Sequence, residues 1–453
     1  MKAIIIGMGK SGKCAMYALN DLGYELSIQD SKSIEKAEPE IRSFCKENNI
    51  EEFYGTMPDD FSGYDMMVLS PGVDPEKDFV VSAKNAGCEI VGELELAFRL
   101  AKGTFIGITG TNGKTTTTTL VGEVFSESGR KTNVVGNIGL PVISVAQNST
   151  EEDWMVTEVS SFQLQTVSKF RPKVSAILNL TPDHLNRHHT MELYGLAKAA
   201  IWQNQGEGDY LIMNADDPVL MKLCLDDVDR ELKATLVLFS RKKELDLGAY
   251  LSGTKLVLKD EEGTVHEIVD RSELKIIGDH NVENALAAAA ICFFSGIDME
   301  TIRKVLRSFG GVEHRLEYVD EIDGVKYYND SKGTNTDAAS IAIKALEKDI
   351  ILIAGGDAKE QDFTDFAKEL DGKVKTVILF GRDRNLIKEA MDKAGYTSYL
   401  ELKDLEECVN KAHELAVPGD KVLLSPACAS WDMYPNFEVR GKHFKDCVKQ
   451  IVK

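Results

Sequence analysis

The residues best placed to do chemistry form one unbroken run, Gly107-Ile108-Thr109-Gly110-Thr111-Asn112-Gly113-Lys114-Thr115-Thr116. An apolar stretch ends at Phe105-Ile106, and Thr117 to Phe125 reads as a helix. A strand, a glycine-rich loop and a helix in that order aim backbone N–H groups at bound phosphates. Lys114 would reach the β- and γ-phosphates, and the Thr115 hydroxyl would hold Mg²⁺. The strict P-loop pattern also has a glycine five positions before Gly113, where this chain has Ile108, with Gly107 and Gly110 flanking it. The alternative is a Gly/Thr-rich turn that binds nothing. Gly-Lys-Thr in this setting favours nucleotide binding.

Other reactive side chains fall at strand ends, the ligand-binding edge of an α/β sheet. Glu158 ends a strand that starts at Trp154, ahead of Val159-Ser160-Ser161-Phe162-Gln163-Leu164. Asp183-His184 follows the apolar strand Val174 to Leu180. Lys198 lies four residues after Tyr194, on the same face of a helix. An acid and a histidine near a P-loop can complete a divalent-metal shell around transferred phosphates. Taken singly, these three read as a helix-start acid, a turn residue and a solvated surface lysine. His188 and His189 read as exposed loop residues. Further along, Arg315 could stabilise charge on a transferring phosphoryl group, and Lys332, within Asn329-Asp330-Ser331-Lys332-Gly333-Thr334-Asn335, could bind an anion. Lys359, after Gly355-Gly356-Asp357, and Ser430, after Ser425-Pro426-Ala427-Cys428-Ala429, both lie just past strand ends.

Three α/β units would position these ends. Residues 2–6 read as a buried strand, Gly7-Met8-Gly9-Lys10-Ser11-Gly12 fits Gly-x-Gly-x-x-Gly, and residues 13–22 read as a helix. The next strand, Glu25 to Gln29, ends at Asp30, eighteen residues after Gly12. This is the dinucleotide fingerprint, although the same loop can hold any diphosphate. Met66 to Leu69 is a strand ending in the turn Ser70-Pro71-Gly72. Lys255 to Leu258 and Val265 to Val269 read as a hairpin, and Asn281 to Phe294 as an Ala-rich helix. Past Gly310-Gly311 come the strands Ile350 to Ile353, Thr376 to Phe380 and Lys421 to Leu424. The expectation is an α/β protein of three domains. Residues 1–93 form a Rossmann-like unit, 94–311 a central P-loop domain with a parallel sheet, and 312–453 a second Rossmann-like unit.

Composition narrows the class. A chain of 453 residues with 43% hydrophobic and 28% charged residues is too long for one core and ordinary for a soluble protein. A net charge of −20 argues against a nucleic-acid surface, and no apolar run reaches the length of a membrane span. The eight cysteines stand singly, which favours reduced thiols in the cytoplasm over disulfides or zinc.

Taken together, the Gly-x-Thr-Gly-Thr-Asn-Gly-Lys-Thr-Thr loop, the Glu158 strand end, Asp183-His184, Lys198, His280-Asn281-x-x-Asn284-Ala285, His314-Arg315 and Asp330-Ser331-Lys332 resemble the Mur ligases of peptidoglycan synthesis. The resemblance runs through nearly the whole chain and accounts for Ile108, because that family's P-loop departs from the strict pattern in the same way. Glu158 to Leu164, Asn329 to Asn335, and Ser425 to Asp432 with Asn436-Phe437 resemble the D-glutamate-adding branch, with Gly333 where many members carry alanine. The resemblance implies a cytoplasmic, monomeric enzyme whose substrates are ATP, UDP-N-acetylmuramoyl-L-alanine and D-glutamate. It implies catalytic roles for Lys114, Glu158, His184, Lys198 and Arg315, and ATP contacts from Gly110 to Thr116, Asn281, Asn284, Arg315 and Asp330. The UDP-substrate would meet Gly9, Lys10, Ser11, Asp30, Ser31, Ser70, Gly72, Asn137 and His184. D-Glutamate would meet Lys332, Thr334, Lys359, Ser430, Trp431 and Phe437. Two Mg²⁺ sites are implied, using Thr115 and then Glu158, His184 and a carbamylated Lys198. The competing readings are another amino-acid ligase of the family, an NAD-dependent oxidoreductase built on Gly7 to Asp30, and a P-loop regulatory ATPase.

Overall fold

Short apolar runs stopped by glycine, such as Ala3–Ile6 before Gly7, cannot be told from buried helix by periodicity. Their four- to six-residue length and β-branched content favour strands covered on both faces. The computed structural model, which describes residues 1–359 and 361–451, forms three sheets from such runs. The first comprises β1 (Lys2–Ile6), β2 (Glu25–Asp30), β3 (Glu51–Tyr54), β4 (Met66–Leu69) and β5 (Glu89–Gly92). All its pairings are parallel, in the order β3-β2-β1-β4-β5.

The second sheet comprises β6 (Thr104–Thr109), β7 (Lys131–Gly136), β8 (Asp153–Glu158), β9 (Val174–Ile177), β10 (Tyr210–Asn214), β11 (Thr235–Ser240), β12 (Gly248–Ser252), β13 (Lys255–Lys259) and β14 (Val265–Asp270). Its order is β14-β13-β12-β11-β10-β9-β6-β8-β7, parallel except for the expected hairpin at β13-β14 and its antiparallel junction with β12. The third comprises β15 (Glu317–Ile322), β16 (Val325–Asn329), β17 (Ile350–Gly355), β18 (Val374–Phe380), β19 (Tyr399–Glu401) and β20 (Lys421–Leu424), ordered β15-β16-β20-β17-β18-β19. Only β15-β16 is antiparallel there.

Strand order reverses between β1 and β4 in the first sheet and between β6 and β9 in the second. Such switch points open a crevice beyond the strands' C-terminal ends. The glycine loop after β1 faces the Ser70 turn after β4, and the P-loop after β6 faces the Asn179–His184 segment after β9. The sequence reading therefore places its motifs at the edges where this topology makes room. β3, β7, β10, β12, β15, β16 and β19 are strands that it does not assign.

The chain packs as two compact units. The first, residues 1–273 and 283–307, holds both of the first two sheets over one continuous apolar core that includes Ile5, Val68, Leu94, Phe105, Met155 and Trp202. The second, residues 274–282 and 308–453, carries the third sheet with a separate core on each face. Among the described residues, no helix is long and apolar enough to cross a membrane.

Candidate active site

The P-loop is shaped by two glycines with positive φ, Gly110 at 150° and Gly113 at 82°. A Cβ on Gly113 would also sit 2.3 Å from the Asn284 side-chain oxygen, which brings Asn284 against the loop. The helix Lys114–Glu127 begins without a side-chain cap, leaving its first-turn N–H groups directed at the loop. It starts at Lys114 rather than Thr117 because Gly113 already makes the turn into it. Lys114 folds back, donating from Nζ to the carbonyl oxygens of Gly110 and Thr111, each at 2.9 Å.

Beside this loop the structure gathers Glu158, Asn137 and Lys198. Gly136 ends β7 at φ 110°, and a Cβ there would meet the Glu158 carbonyl at 2.2 Å. This close approach sets Asn137 to donate from Nδ2 to Glu158 Oε1 at 2.7 Å. Glu158 is buried, and its Oε2 has no hydrogen-bond partner. An anionic oxygen buried without a donor suits a bound cation. Lys198 is 1% exposed, so the surface-lysine reading fails. Its Nζ donates to the Gly110 carbonyl at 2.9 Å and lies 4.6 Å from the centre of the Tyr194 ring, as the four-residue spacing predicts. Burial first, and the Lys114 charge second, push its pKa well below the ordinary lysine value.

His184 closes the same edge, with φ 53° and its ring 4.8 Å from that of Phe162. The exposed-loop expectation holds for His189 and fails for His188. His188 is 3% exposed, stacked on Phe162 at 5.5 Å, 5.1 Å from Tyr194, and 2.9 Å from the Ser161 hydroxyl. Burial holds its pKa down to about 4. The packing of two aromatic rings around an imidazole outweighs the polar look of a His-His pair. Arg187 is another residue the sequence reading misses. It donates to the Val73 carbonyl at 2.9 Å and to Gln165 Oε1 at 3.0 Å, lies 4.7 Å from the Phe162 ring centre, and faces Asp74 at 3.6 Å. A half-buried arginine among carbonyls, a carboxylate and a ring has no local sequence signal.

At the first switch point, Gly12 packs so closely that a Cβ would fall 1.9 Å from the Gly7 carbonyl, whereas Gly9 has nothing within 4 Å. The Ser70 hydroxyl donates to the same Gly7 carbonyl at 2.7 Å, tying the two loops together. Asp30 accepts from the Met8 and Lys32 N–H groups at 2.8 and 2.9 Å, so it holds the loop's shape. Lys10 and Ser31 are exposed and Ser11 is half-buried beside it.

In the second unit, Asp330 is buried at the end of β16, accepting from the Ser425 hydroxyl at 2.6 Å and from Leu316 N–H at 3.1 Å. Burial raises its pKa to about 6, opposed by the Ser425 hydrogen bond and by the charges of Arg315 and Arg440. Arg315 has a buried Nε with no partner. His280 is held down to about 4 by burial and by the Arg315 charge, and Asn281 Nδ2 donates to the Ile277 carbonyl at 2.8 Å. Lys332 Nζ lies 5.8 Å from the Phe437 ring and Lys359 Nζ 4.3 Å from the Trp431 ring, with Ser430 buried between Ala429 and that tryptophan. Thr334 follows Lys332 in a tight turn, its N–H bonded to the Lys332 carbonyl at 2.9 Å.

A P-loop at the switch point of a parallel sheet, flanked by a buried carboxylate and a buried lysine, defines an ATP-using α/β enzyme. The chain matches the Mur ligase MurD-like N-terminal domain over residues 1–92, the Mur ligase middle domain over 108–292 and the Mur ligase glutamate ligase domain over 314–428. It belongs to the Mur ligase family. Similar relatives are the UDP-N-acetylmuramoylalanine--D-glutamate ligases of Alkaliphilus metalliredigens, 46% identical over 99% of this chain and 98% of that protein, and of Clostridioides difficile, 44% identical over the same shares. Among solved structures, the UDP-N-acetylmuramate-alanine ligase MurC of Thermotoga maritima shares the fold with a TM-score of 0.60 at 19% identity, covering 100% of both chains. A pseudomurein peptide ligase type C from Methanothermus fervidus does so with a TM-score of 0.57 at 18% identity, covering 99% of each.

Proposed function

We propose that this chain is the ATP-dependent ligase that joins D-glutamate to UDP-N-acetylmuramoyl-L-alanine. The observation that carries the reading is the buried Glu158–Lys198 pair of sites around a P-loop, in a chain 46% identical over nearly its whole length to ligases of that name. The alanine carboxylate is a poor electrophile, so it first attacks the γ-phosphate of ATP, giving an acyl phosphate and ADP. The amine of D-glutamate then attacks the acyl carbon, and collapse of the tetrahedral adduct expels phosphate and leaves the amide. The first step brings two anions together. Lys114 answers that repulsion from the P-loop, and we assign Arg315 the same task. Asn281, Asn284 and Asp330 are assigned to ATP as well.

The residues present fit a metal. Mg²⁺ at Thr115, and a second ion at Glu158, His184 and Lys198 as a carbamate, would supply positive charge against the phosphate oxygens. Carbamylation needs a neutral amine, and the burial of Lys198 beside Lys114 favours that form by lowering its pKa. Around the first switch point, Gly9, Lys10, Ser11, Asp30, Ser31, Ser70 and Gly72, with Asn137 and His184, hold the UDP-substrate. D-Glutamate carries two carboxylates, so its site needs more than one donor; Lys332, Thr334, Lys359, Ser430 and the backbone at Trp431 provide them, with Phe437 as an apolar wall.

The test is phosphate release from ATP with UDP-N-acetylmuramoyl-L-alanine and a panel of D- and L-amino acids. Release should require both acceptors and select D-glutamate. Release without an amino acid, or with another amino acid preferred, overturns the assignment. Separately, ¹³C-bicarbonate should give a carbamate NMR signal that Lys198→Ala abolishes; an active parent without that signal refutes the modified lysine.

A further inference from the structure

The three residues after Leu178 lie against the P-loop at the switch point between β6 and β9. The Asn179 side chain makes three hydrogen bonds there. Its Oδ1 accepts from the N–H groups of Thr111 at 3.1 Å and Asn112 at 2.8 Å, and its Nδ2 donates to the Asn112 carbonyl at 3.0 Å. The last two bonds pair one amide side chain with both backbone groups of Asn112, as a neighbouring strand would. The Thr111 N–H is shared with the Asn179 carbonyl at 3.1 Å. Thr181 adds to this, its N–H donating to Thr111 Oγ1 and its carbonyl accepting from the same hydroxyl, both at 3.1 Å. From the opposite side, Asn214 Nδ2 donates to the Leu178 carbonyl at 3.2 Å, and Asp217 Oδ2 accepts from Leu180 N–H at 2.8 Å.

We infer that Asn179 is a positioning residue that braces the middle of the P-loop and ties its shape to the segment carrying Asp183 and His184. Thr111 and Asn112 lie between the two positive-φ glycines, where the loop backbone is least held by its own structure. A glycine-rich loop pays for its flexibility in ordering when phosphate binds, and a brace removes that cost in advance. The brace stands on an asparagine because only a side-chain amide offers an acceptor and a donor at the spacing of one peptide unit. The inference rests on the ATP site proposed above; its exchange and ATP-binding readouts need neither acceptor, so a wrong acceptor assignment leaves those two readouts intact.

The experiment compares the parent with Asn179→Ala and Asn179→Asp. Hydrogen exchange is followed in the peptide covering Thr109 to Gly113, alongside the Kd for ATP and the KM for D-glutamate. Asn179→Ala should speed exchange at Asn112 about tenfold or more, and less at Thr111, whose N–H keeps the Asn179 carbonyl, and should weaken ATP about tenfold, leaving the KM for D-glutamate within about twofold. Asn179→Asp keeps the acceptor, so exchange at these two amides should stay near the parent while the added charge still weakens ATP. Unchanged exchange in Asn179→Ala overturns the inference, as does a matching rise in the KM for D-glutamate. Tighter ATP binding by Asn179→Ala also overturns it, because the amide would then be competing with the phosphate. Should Asn179→Ala fail to fold, Asn179→Ser carries the same comparison with a shorter polar side chain.

Discussion

Glu93 opens the helix Glu93–Leu100 that links the first sheet to the second, and it is 2% exposed. Its Oε1 accepts from Ile143 N–H at 2.8 Å, and its Oε2 has no partner. Burial outweighs hydrogen bonding from Ile143, Val142 and Gln163 and raises its pKa from the ordinary 4.5 to about 7. The native protein therefore holds this proton more tightly than the unfolded chain. The stability it contributes is whole below about pH 4.5 and falls as pH rises, until ionisation is complete above about pH 7. At about 1.4 kcal/mol per unit, the loss amounts to about 3 kcal/mol. Glu93→Gln cannot ionise and keeps an acceptor for Ile143. Urea unfolding of parent and variant, both carrying Trp431→Phe so that Trp154 and Trp202 report on the first unit, gives their stability difference at each pH. A constant cost of the amide cancels between pH values. The difference should move in the variant's favour by about 3 kcal/mol from pH 4.5 to pH 8. A difference independent of pH, or one moving in the parent's favour, refutes the burial argument.

Three further outcomes follow from the geometry. Gly12→Ala should lose binding of the UDP-substrate and lower the thermal midpoint, since its Cβ would meet the Gly7 carbonyl at 1.9 Å, whereas Gly9→Ala should leave the midpoint unchanged; calorimetry and substrate titration separate the two. Lys359→Ala should raise the KM for D-glutamate far more than that for ATP, because it removes ground-state binding; equal effects count against its placement. His188→Phe keeps the stack with Phe162 and Tyr194 but leaves the Ser161 hydroxyl without its partner, at a cost of about 1 kcal/mol in urea unfolding.

What is legible in the sequence is what neighbours in the chain decide. The glycine spacing of Gly7 to Gly12, the Gly-Lys-Thr loop and the apolar runs before them fix a strand, a turn and a helix locally, and the structure has all three. The four-residue step from Tyr194 to Lys198 also gives their shared face. Depth is another matter. Lys198 is covered by the Gly110 loop, 88 residues away in the chain, and His188 finds Ser161 at a separation of 27. Asn179 reads as one polar residue inside the apolar run Val174 to Leu180, of which the structure makes strand only to Ile177. Its value comes from strand order, which sets β9 beside β6 and not beside β8. Strands such as β10 and β16 escape notice because their tyrosines, lysine and asparagine break the apolar run that marks their neighbours.

The grip of Arg187 on the first sheet bears on how this chain could be recombined. Toward residues 72 and 73 it addresses backbone oxygens only, which every amino acid carries, while Gln165 and Phe162 hold it from its own side. The contact thus asks for one acidic side chain, Asp74, on one flank and for several fixed partners on the other. Grafting residues 1–92 from a distant relative would preserve the joint so long as the turn after Leu69 keeps its length and the acid at position 74. Exchanging the segment from Phe162 to Arg187 would have to move its members as a block. Chimeras should accordingly keep Asp74 and the apolar residues of the shared core with the incoming first sheet.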